Sequence, residues 1–383
     1  MRLVTIGTLL VCLWTAGPAA RQDPPSTQTP PVQTPPVQTP PVQTPPVQTT
    51  PVQAPPQPVT ASPAPTVTPA PTPAVPFDDW LAALKTEALA KGISQATIDT
   101  AFANLQPDPV IIARDRTQPE QTQSLDEYVT ARLNPKTLAR AADAATEQRD
   151  VVARVEKTYG VPGPIMIAIW GMESNFGQFT GVRPVVTALA TLAYDSRRPA
   201  LFRAELFQAL VILDKGLVQP PDFIGSWAGA IGQPQFMPSS FLKYAVDFDG
   251  DGKIDIWGTP ADVLGSMANY LQTAGWAEGT RWGREVKISK TVMAKVEKNV
   301  PMRSAGCKSR REMTEARPLS EWRKLGVLEM DGTKLPPATM TASLVRGQHR
   351  NFLVYQNYQA ILDYNCSNSY AVSVGLLSDK IAK

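Results

Sequence analysis

The chain has 383 residues with 37 basic and 34 acidic side chains, a net charge of +3, too balanced for a nucleic-acid or polybasic membrane binder. One histidine, His349, and three cysteines exclude zinc sites built on two histidines or on four cysteines. A Ser-His-Asp triad would have to run through His349 without a Gly-x-Ser-x-Gly turn, so carboxylates are left to carry any chemistry.

Met1-Arg2, the apolar run Leu3 to Trp14 and the small residues after it have the layout of a secretory signal, residues 1–19. Cys12, behind Leu9-Leu10-Val11, offers a weaker lipoprotein-type reading. Residues 20–76 follow, with 20 prolines between Pro24 and Pro76, no charge in that stretch, and Thr-Pro-Pro-Val-Gln repeated four times from Thr29. Such a tract cannot bury enough apolar surface to offset its ordering entropy, and it favours solvated polyproline II. It reads as a spacer, as a ligand for a protein partner that reads proline, or as a tail that tolerates insertion.

Order is expected from Phe77. Helical periodicity runs from Trp80 to Lys91, over Gln95–Ala103, over Ser124–Leu133 and over Pro135–Tyr159, with a break at Pro107 and Pro109. The very apolar Ile165–Trp170 comes next, then helices over Leu201–Asp214 and Asp262–Ala274. After Trp276 short turn-bounded runs predict strands at Val286–Ile288, Leu325–Val327, Ala342–Val345 and Phe352–Tyr355. A last helix covers Tyr370–Ile381. The whole is a mainly helical α+β protein with a small β-rich insert.

Three segments carry chemistry. Glu173 ends the apolar run in Gly171-Met172-Glu173-Ser174-Asn175-Phe176-Gly177, and desolvation there would raise its pKa toward the range of a general acid. The bland reading puts it on the exposed side of a helix end. The loop Gly232-Gln233-Pro234-Gln235-Phe236-Met237-Pro238 can approach a ligand closely, with Gln235 as amide and Phe236 as stacking face, and Ser239 or Ser240 capping the next helix. In Asp247-Phe248-Asp249-Gly250-Asp251-Gly252-Lys253-Ile254-Asp255, acids at positions 1, 3, 5 and 9, Gly at 6 and Lys253 at the carbonyl position 7 match a calcium loop. Gly258 stands where the bidentate Glu belongs. Asp262 could replace it, or could instead be an acid in the first turn of a helix entered through Thr259-Pro260.

Taken in order, the Glu173 motif, Arg183-Pro184, Ala188 to Tyr194, the Gly-Gln-Pro-Gln-Phe-Met-Pro-Ser-Ser string, the Asp-rich loop and Tyr364-Asn365-Cys366-Ser367-Asn368-Ser369-Tyr370-Ala371 resemble the lytic murein transglycosylases of the membrane-bound B type. The resemblance covers Phe77 to the end. It implies a lysozyme-like core in 77–383: a helical lobe (77–160), the core (161–280), a β-rich insert (281–355) and a closing helix (356–383). It implies a periplasmic monomer acting on peptidoglycan glycan strands, with Glu173 as sole acid and base. Ser226, Gln235, Tyr270, Tyr364, Asn365 and Tyr370 match the sugar groove, Tyr128 more weakly. Phe236 would stack on a sugar. Asp247, Asp249, Asp251, Lys253, Asp255 and Asp262 match a structural Ca2+ site, with one extra residue before Asp262. The rival readings are a hydrolytic muramidase and a non-catalytic peptidoglycan-binding scaffold. Arg197-Arg198 could meet stem-peptide carboxylates, or be a solvated helix start. Cys307 and Cys366 are expected to pair after export, and His349 to lie in a surface loop.

Overall fold

Capping residues set the first helices. The structure, a computed structural model, describes residues 75–116, 123–195 and 197–382; the signal and the proline-rich repeats lie outside the described residues. Helices α1 (Phe77–Ala90), α2 (Gln95–Ala101) and α3 (Pro109–Asp115) come first. Ser94 caps α2 by accepting the Thr97 N–H, and Asp108 caps α3. Pro109 was expected to break structure but starts α3, because its fixed φ and missing N–H suit the first helical position. In α4 (Leu125–Arg132), Ser124 and Glu127 form a reciprocal capping box. The single helix expected over 135–159 is two, α5 (Pro135–Glu147) and α6 (Arg149–Tyr159), which meet at Gln148, where φ is −98° and ψ 16°.

The middle of the chain holds α7 (Gly163–Ser174), β1 (Arg183–Pro184), α8 (Val185–Tyr194), α9 (Pro199–Asp214), β2 (Ile224–Gly225), α10 (Pro238–Tyr244) and α11 (Pro260–Thr273). Helix α10 begins at Pro238 with no side-chain cap. Ser239 lies inside it, and its N–H and hydroxyl both donate to the buried Glu205 of α9. The insert contains β3 (Gly283–Lys287), α12 (Lys290–Asn299), α13 (Lys308–Arg311), β4 (Arg317–Pro318), α14 (Leu319–Leu325), β5 (Leu328–Glu329), β6 (Thr341–Arg346) and β7 (Asn351–Val354). Its five strands form an antiparallel sheet in the order β4-β6-β7-β3-β5. Leu325–Val327 is not a strand: Gly326, at φ 100°, ends α14 there, and pairing starts at Leu328. Helices α15 (Gln356–Tyr364) and α16 (Asn368–Ile381) close the chain.

Helix α7 is apolar on every side because every side is covered. Ile165 to Trp170 are all buried, in a core shared with α4, α5, α6, α11, α15 and α16. A second core joins α1, α2 and α3 to α8, α9, α10 and the 225–236 turn. The helices of 77–160 are therefore not one lobe, since they divide between the two cores. A third, smaller core lies around Trp322 and the sheet. The result is a mainly helical α+β protein with one small five-stranded sheet.

Candidate active site

Glu173 occupies the last turn of α7, half-buried. Past it the backbone turns left-handed three times running, at Asn175 (φ 51°), Phe176 (60°) and Gly177 (80°), which costs strain at the two non-glycine positions. The turn folds the Phe176 ring edge-on against Trp170, centroids 5.8 Å apart. Gly171 leaves room for that ring, since a Cβ there would come within 2.5 Å of it. Beneath the turn lies Gln233, which the sequence reading passed over. Its Oε1 accepts Trp170 Nε1–H at 2.7 Å, its Nε2 donates to the Trp257 carbonyl at 2.6 Å, and its N–H to Ile256 at 2.8 Å. One buried amide thus joins the Glu173 helix to the Gln-Pro-Gln turn and to the chain beyond the acidic loop. A glutamine in a Gly/Pro-rich string reads as exposed, so only the buried Trp partner betrays it.

Gln235 sits at φ 52° and donates its amide nitrogen to Gly232 O at 2.8 Å and Thr180 O at 3.3 Å, tying its turn to the loop after Glu173. Ser226 accepts from the N–H groups of Ala228 and Ala230, which shapes the neighbouring turn. Tyr364 Oη donates to Pro234 O at 2.7 Å, and its ring lies 4.8 Å from Tyr270. Tyr270 in turn donates to Asp363 O at 2.6 Å and packs 4.3 Å from Tyr244. Phe236 cannot stack on a sugar: it is 2% exposed, behind Tyr270 and Tyr364, where its ring supports theirs. Tyr128 and Tyr370 are each 3% exposed, so they offer edges rather than open faces. The Arg132 guanidinium covers the Tyr128 ring at 5.2 Å. Asn365 is exposed in the turn between α15 and α16.

Electrostatics gather these groups around one carboxyl. Burial, then the negative charge of Glu173, lifts the pKa of both Tyr364 and Tyr370 well above the usual phenol value. Burial, with Tyr244 and Asp363 beside it, pushes Tyr270 up to about 12. All three phenols are neutral donors at physiological pH. Next to them opens a cavity of about 1050 Å³ whose wall includes Trp227, Met237, Asn365 and Ser369, with Arg132 and Arg346 among its cations. Glu173, Tyr364 and Tyr370 are not part of that wall; the residues between the two tyrosines, Asn365 to Ser369, are. Arg197 and Arg198 both pair with the buried Asp115 of α3, Arg197 at 2.7 Å. The pairs tie the chain before α9 to α3, while Arg198, with 38% of its side chain exposed, also lines the cavity. His349 is exposed as expected.

In the acidic loop, carboxylate oxygens of Asp247, Asp249 and Asp251 lie within 4.8 Å of one another. Hydrogen bonds from the loop's own N–H groups, Gly252 foremost, hold the Asp247 pKa below the usual range. Such an all-oxygen trio suits a hard cation. The carboxylates of the two other expected acidic ligands take hydrogen bonds from the chain around them. Asp255 accepts from Trp257 N–H, Gly258 N–H and the Thr259 hydroxyl. Asp262, 1% exposed, accepts Phe248 N–H and Asp255 N–H, each at 2.8 Å, so it braces the loop from α11. Lys253 is exposed, and its N–H donates to Asp251.

Residues 76–379 match the Transglycosylase SLT domain family. Membrane-bound lytic murein transglycosylase B of Escherichia coli K12 is 31% identical over 245 residues, 62% of this chain and 61% of that protein. The chain thus spans about three fifths of the length of that curated relative. The crystal structure of SltB3 from Pseudomonas aeruginosa in complex with NAG-anhNAM-pentapeptide superposes with a TM-score of 0.71 at 40% identity, covering 80% of this chain and 79% of that one. Escherichia coli Slt35 in complex with calcium gives 0.65 at 26% identity, over 79% and 92%. With its left-handed turn behind Glu173 and its tyrosines gathered about that carboxyl, the chain belongs to the transglycosylase SLT domain family.

Proposed function

We propose that the protein is a lytic murein transglycosylase that cleaves the MurNAc–GlcNAc β-1,4 bond of peptidoglycan without water. The observation that carries the reading is one half-buried carboxyl, Glu173, at the end of a rigid apolar helix and surrounded by neutral phenols. As an acid, Glu173 donates its proton to the glycosidic oxygen while the C1–O bond breaks. As a base, it takes the proton of the muramyl C6 hydroxyl as that oxygen attacks C1. The products are a 1,6-anhydromuramyl end and a free hydroxyl on the leaving sugar; Glu173 regains its proton and no water is consumed. A glycosidase that uses water or a covalent intermediate needs a paired carboxylate. The groups whose titration feels the Glu173 charge are the phenols of Tyr364 and Tyr370 rather than carboxylates. Gln235, Ser226, Tyr270, Tyr364, Asn365 and Tyr370 would line the sugar path, with Tyr128 at its edge. The SltB3 complexes with NAG-anhNAM-pentapeptide and NAG-NAM-pentapeptide support a glycan substrate that bears peptides.

Asp247, Asp249 and Asp251 would hold a Ca2+ ion, by analogy with Slt35. The ion would offset their mutual repulsion and fix the loop that α11 braces. An extracytoplasmic location follows from the signal-like N-terminus and from a relative called membrane-bound; no helix among the described residues is long and apolar enough to cross a membrane. Mass spectrometry of fragments released from purified sacculi tests the reaction. Anhydromuropeptides from wild type, and none from Glu173→Gln, are expected. Products one water heavier would make the protein a hydrolytic muramidase, and binding without release would make it a scaffold.

A further inference from the structure

The turn that presents Asn365 between Tyr364 and Tyr370 is gripped from two sides. On the inner side Tyr364 reaches Pro234 O, and Tyr270 reaches Asp363 O. On the outer side it meets α13, a single helical turn carried by the β insert. Cys307, the residue before α13, is disulfide-bonded to Cys366, with Cα atoms 6.6 Å apart at a sequence separation of 59. Around this bond Ser309 donates to Cys366 O at 3.1 Å and accepts Asn368 N–H at 3.2 Å, and Asn368 Nδ2 donates to Ser309 O at 2.8 Å. Arg310 adds a bond to Asp363 at 2.7 Å. The segment bearing α13 is closed on itself by the Met302–Thr314 bridge and seated on the sheet, since Thr314 N–H donates to Leu344 O and Arg303 to the Ser343 hydroxyl of β6. The insert therefore reaches across and clamps the turn, and one covalent bond closes the clamp. That bond is accessible: Cys366 is exposed and lines the cavity, whereas Cys307 is half-buried.

We propose that the Cys307–Cys366 disulfide is a redox-sensitive positioning device that holds Tyr364, Asn365 and Tyr370 in register with Glu173. The proposal rests on the transglycosylase reading above. A dithiol reductant opens it in two steps. Its thiolate attacks Sγ of Cys366, the more exposed residue of the pair, and releases Cys307 as a thiolate; its second thiol then displaces Cys366, leaving two protein thiols and an oxidised, cyclic dithiol. Two electrons pass to the protein pair, and the two thiol protons follow them. Without the covalent closure, the outer side of the turn is held by hydrogen bonds alone, and the phenols beside Glu173 gain freedom to drift. Cys366 stands in the groove wall itself, next to Asn365, so the bond acts directly on the turn that carries the tyrosines.

The test uses the full chain carrying Cys12→Ser, so that the third cysteine contributes no thiol. Muropeptide release from sacculi and amide hydrogen exchange are measured before reduction, after dithiothreitol, and after reoxidation. Turnover is expected to fall by about tenfold on reduction, within the range that a misplacement of about 1 Å costs. Exchange is expected to rise at 307–311 and 363–370 while α7 and α11 stay protected, and both effects should reverse on reoxidation. Unchanged turnover of the folded, reduced protein overturns the proposal. A rise in exchange across the whole chain also overturns it, because the bond would then be a staple for global stability. If the oxidised protein releases no anhydromuropeptide, the functional reading itself falls, an outcome distinct from either.

Discussion

At the scale of single residues, the site depends on a few side chains that act through fixed geometry. Glu173→Gln keeps the shape of the carboxyl but cannot give or take the proton. Turnover is expected to fall by about 10²–10⁴-fold, the share a positioned general acid and base supplies, with the thermal midpoint unchanged. Gln233 presents the opposite case, since it has no chemistry to perform and holds three parts of the site together. Gln233→Leu leaves the buried Trp170 N–H without its acceptor and the Trp257 carbonyl without its donor, at about 1–3 kcal/mol for each group left unpaired. Urea unfolding should show that loss, and turnover at low temperature should fall as well, because the Glu173 turn rests on this amide. Glu173 stands out in the sequence as a charged residue at the end of an apolar run, but an exposed helix end reads the same way, and only the family resemblance favours a catalytic role. Gln233 does not stand out, because its partners come from segments far apart in sequence and a glutamine between glycine and proline carries no sign of burial. Phe236 misled for a related reason: the motif contains an aromatic ring in a loop, but only packing decides whether that ring is open or supports its neighbours, here Tyr270 and Tyr364.

At the scale of elements, capping chemistry made helices readable where side chains supply it, as at Ser94 and Ser124. Helices entered through a proline at the first position, such as α3, α9 and α10, leave the same residue that marks a break elsewhere, so position rather than identity decides. Helix α8 is almost wholly buried and lacks the polar face that gives a periodic signal. The β1–β2 pair was invisible for another reason, because two-residue strands carry no alternation. That pair is nonetheless what holds the loop after Glu173 against the Ser226 turn, and Gly181 is where the two backbones touch. A Cβ at Gly181 would lie 1.9 Å from the Gly225 carbonyl oxygen, and its φ is 97°. Backbone cannot swing away as a flexible side chain can, so Gly181→Ala must push β1 from β2. A loss of about 1–3 kcal/mol from forced repacking is expected in thermal unfolding. A drop in turnover should accompany it at temperatures where the protein is still folded, because Thr180, next to Gly181, carries the carbonyl that receives the Gln235 amide.

At the scale of the whole molecule, ionised carboxylates secure contacts between distant stretches of chain. Asp214, at the end of α9, accepts from the N–H and hydroxyl of Ser94 and from the Thr97 hydroxyl, all more than 100 residues earlier. Hydrogen bonds from the Ser94 side chain first, then Thr97, hold its pKa below the usual value. Glu87 of α1 pairs with Arg203 of α9, whose hydrogen bond lowers its pKa in the same way. Glu127 is lowered by the Ser124 N–H and then by the Ser124 hydroxyl. In each case the folded chain binds a proton less readily than the unfolded chain. Their contribution to stability is therefore complete above the unfolded carboxylate pKa, about 4, and is lost as pH falls through the lower folded values. The thermal midpoint should stay flat from neutrality to about pH 5 and then descend, with the slope set by the extra protons that the unfolded state takes up. Asp214→Asn removes one of these proton-linked groups while keeping an oxygen that accepts hydrogen bonds. It should lower the midpoint at pH 7 and flatten the descent below pH 4 in a scan of melting temperature against pH. A parallel descent in wild type and variant would mean that acid lability arises elsewhere, for example at the Glu87–Arg203 pair between α1 and α9.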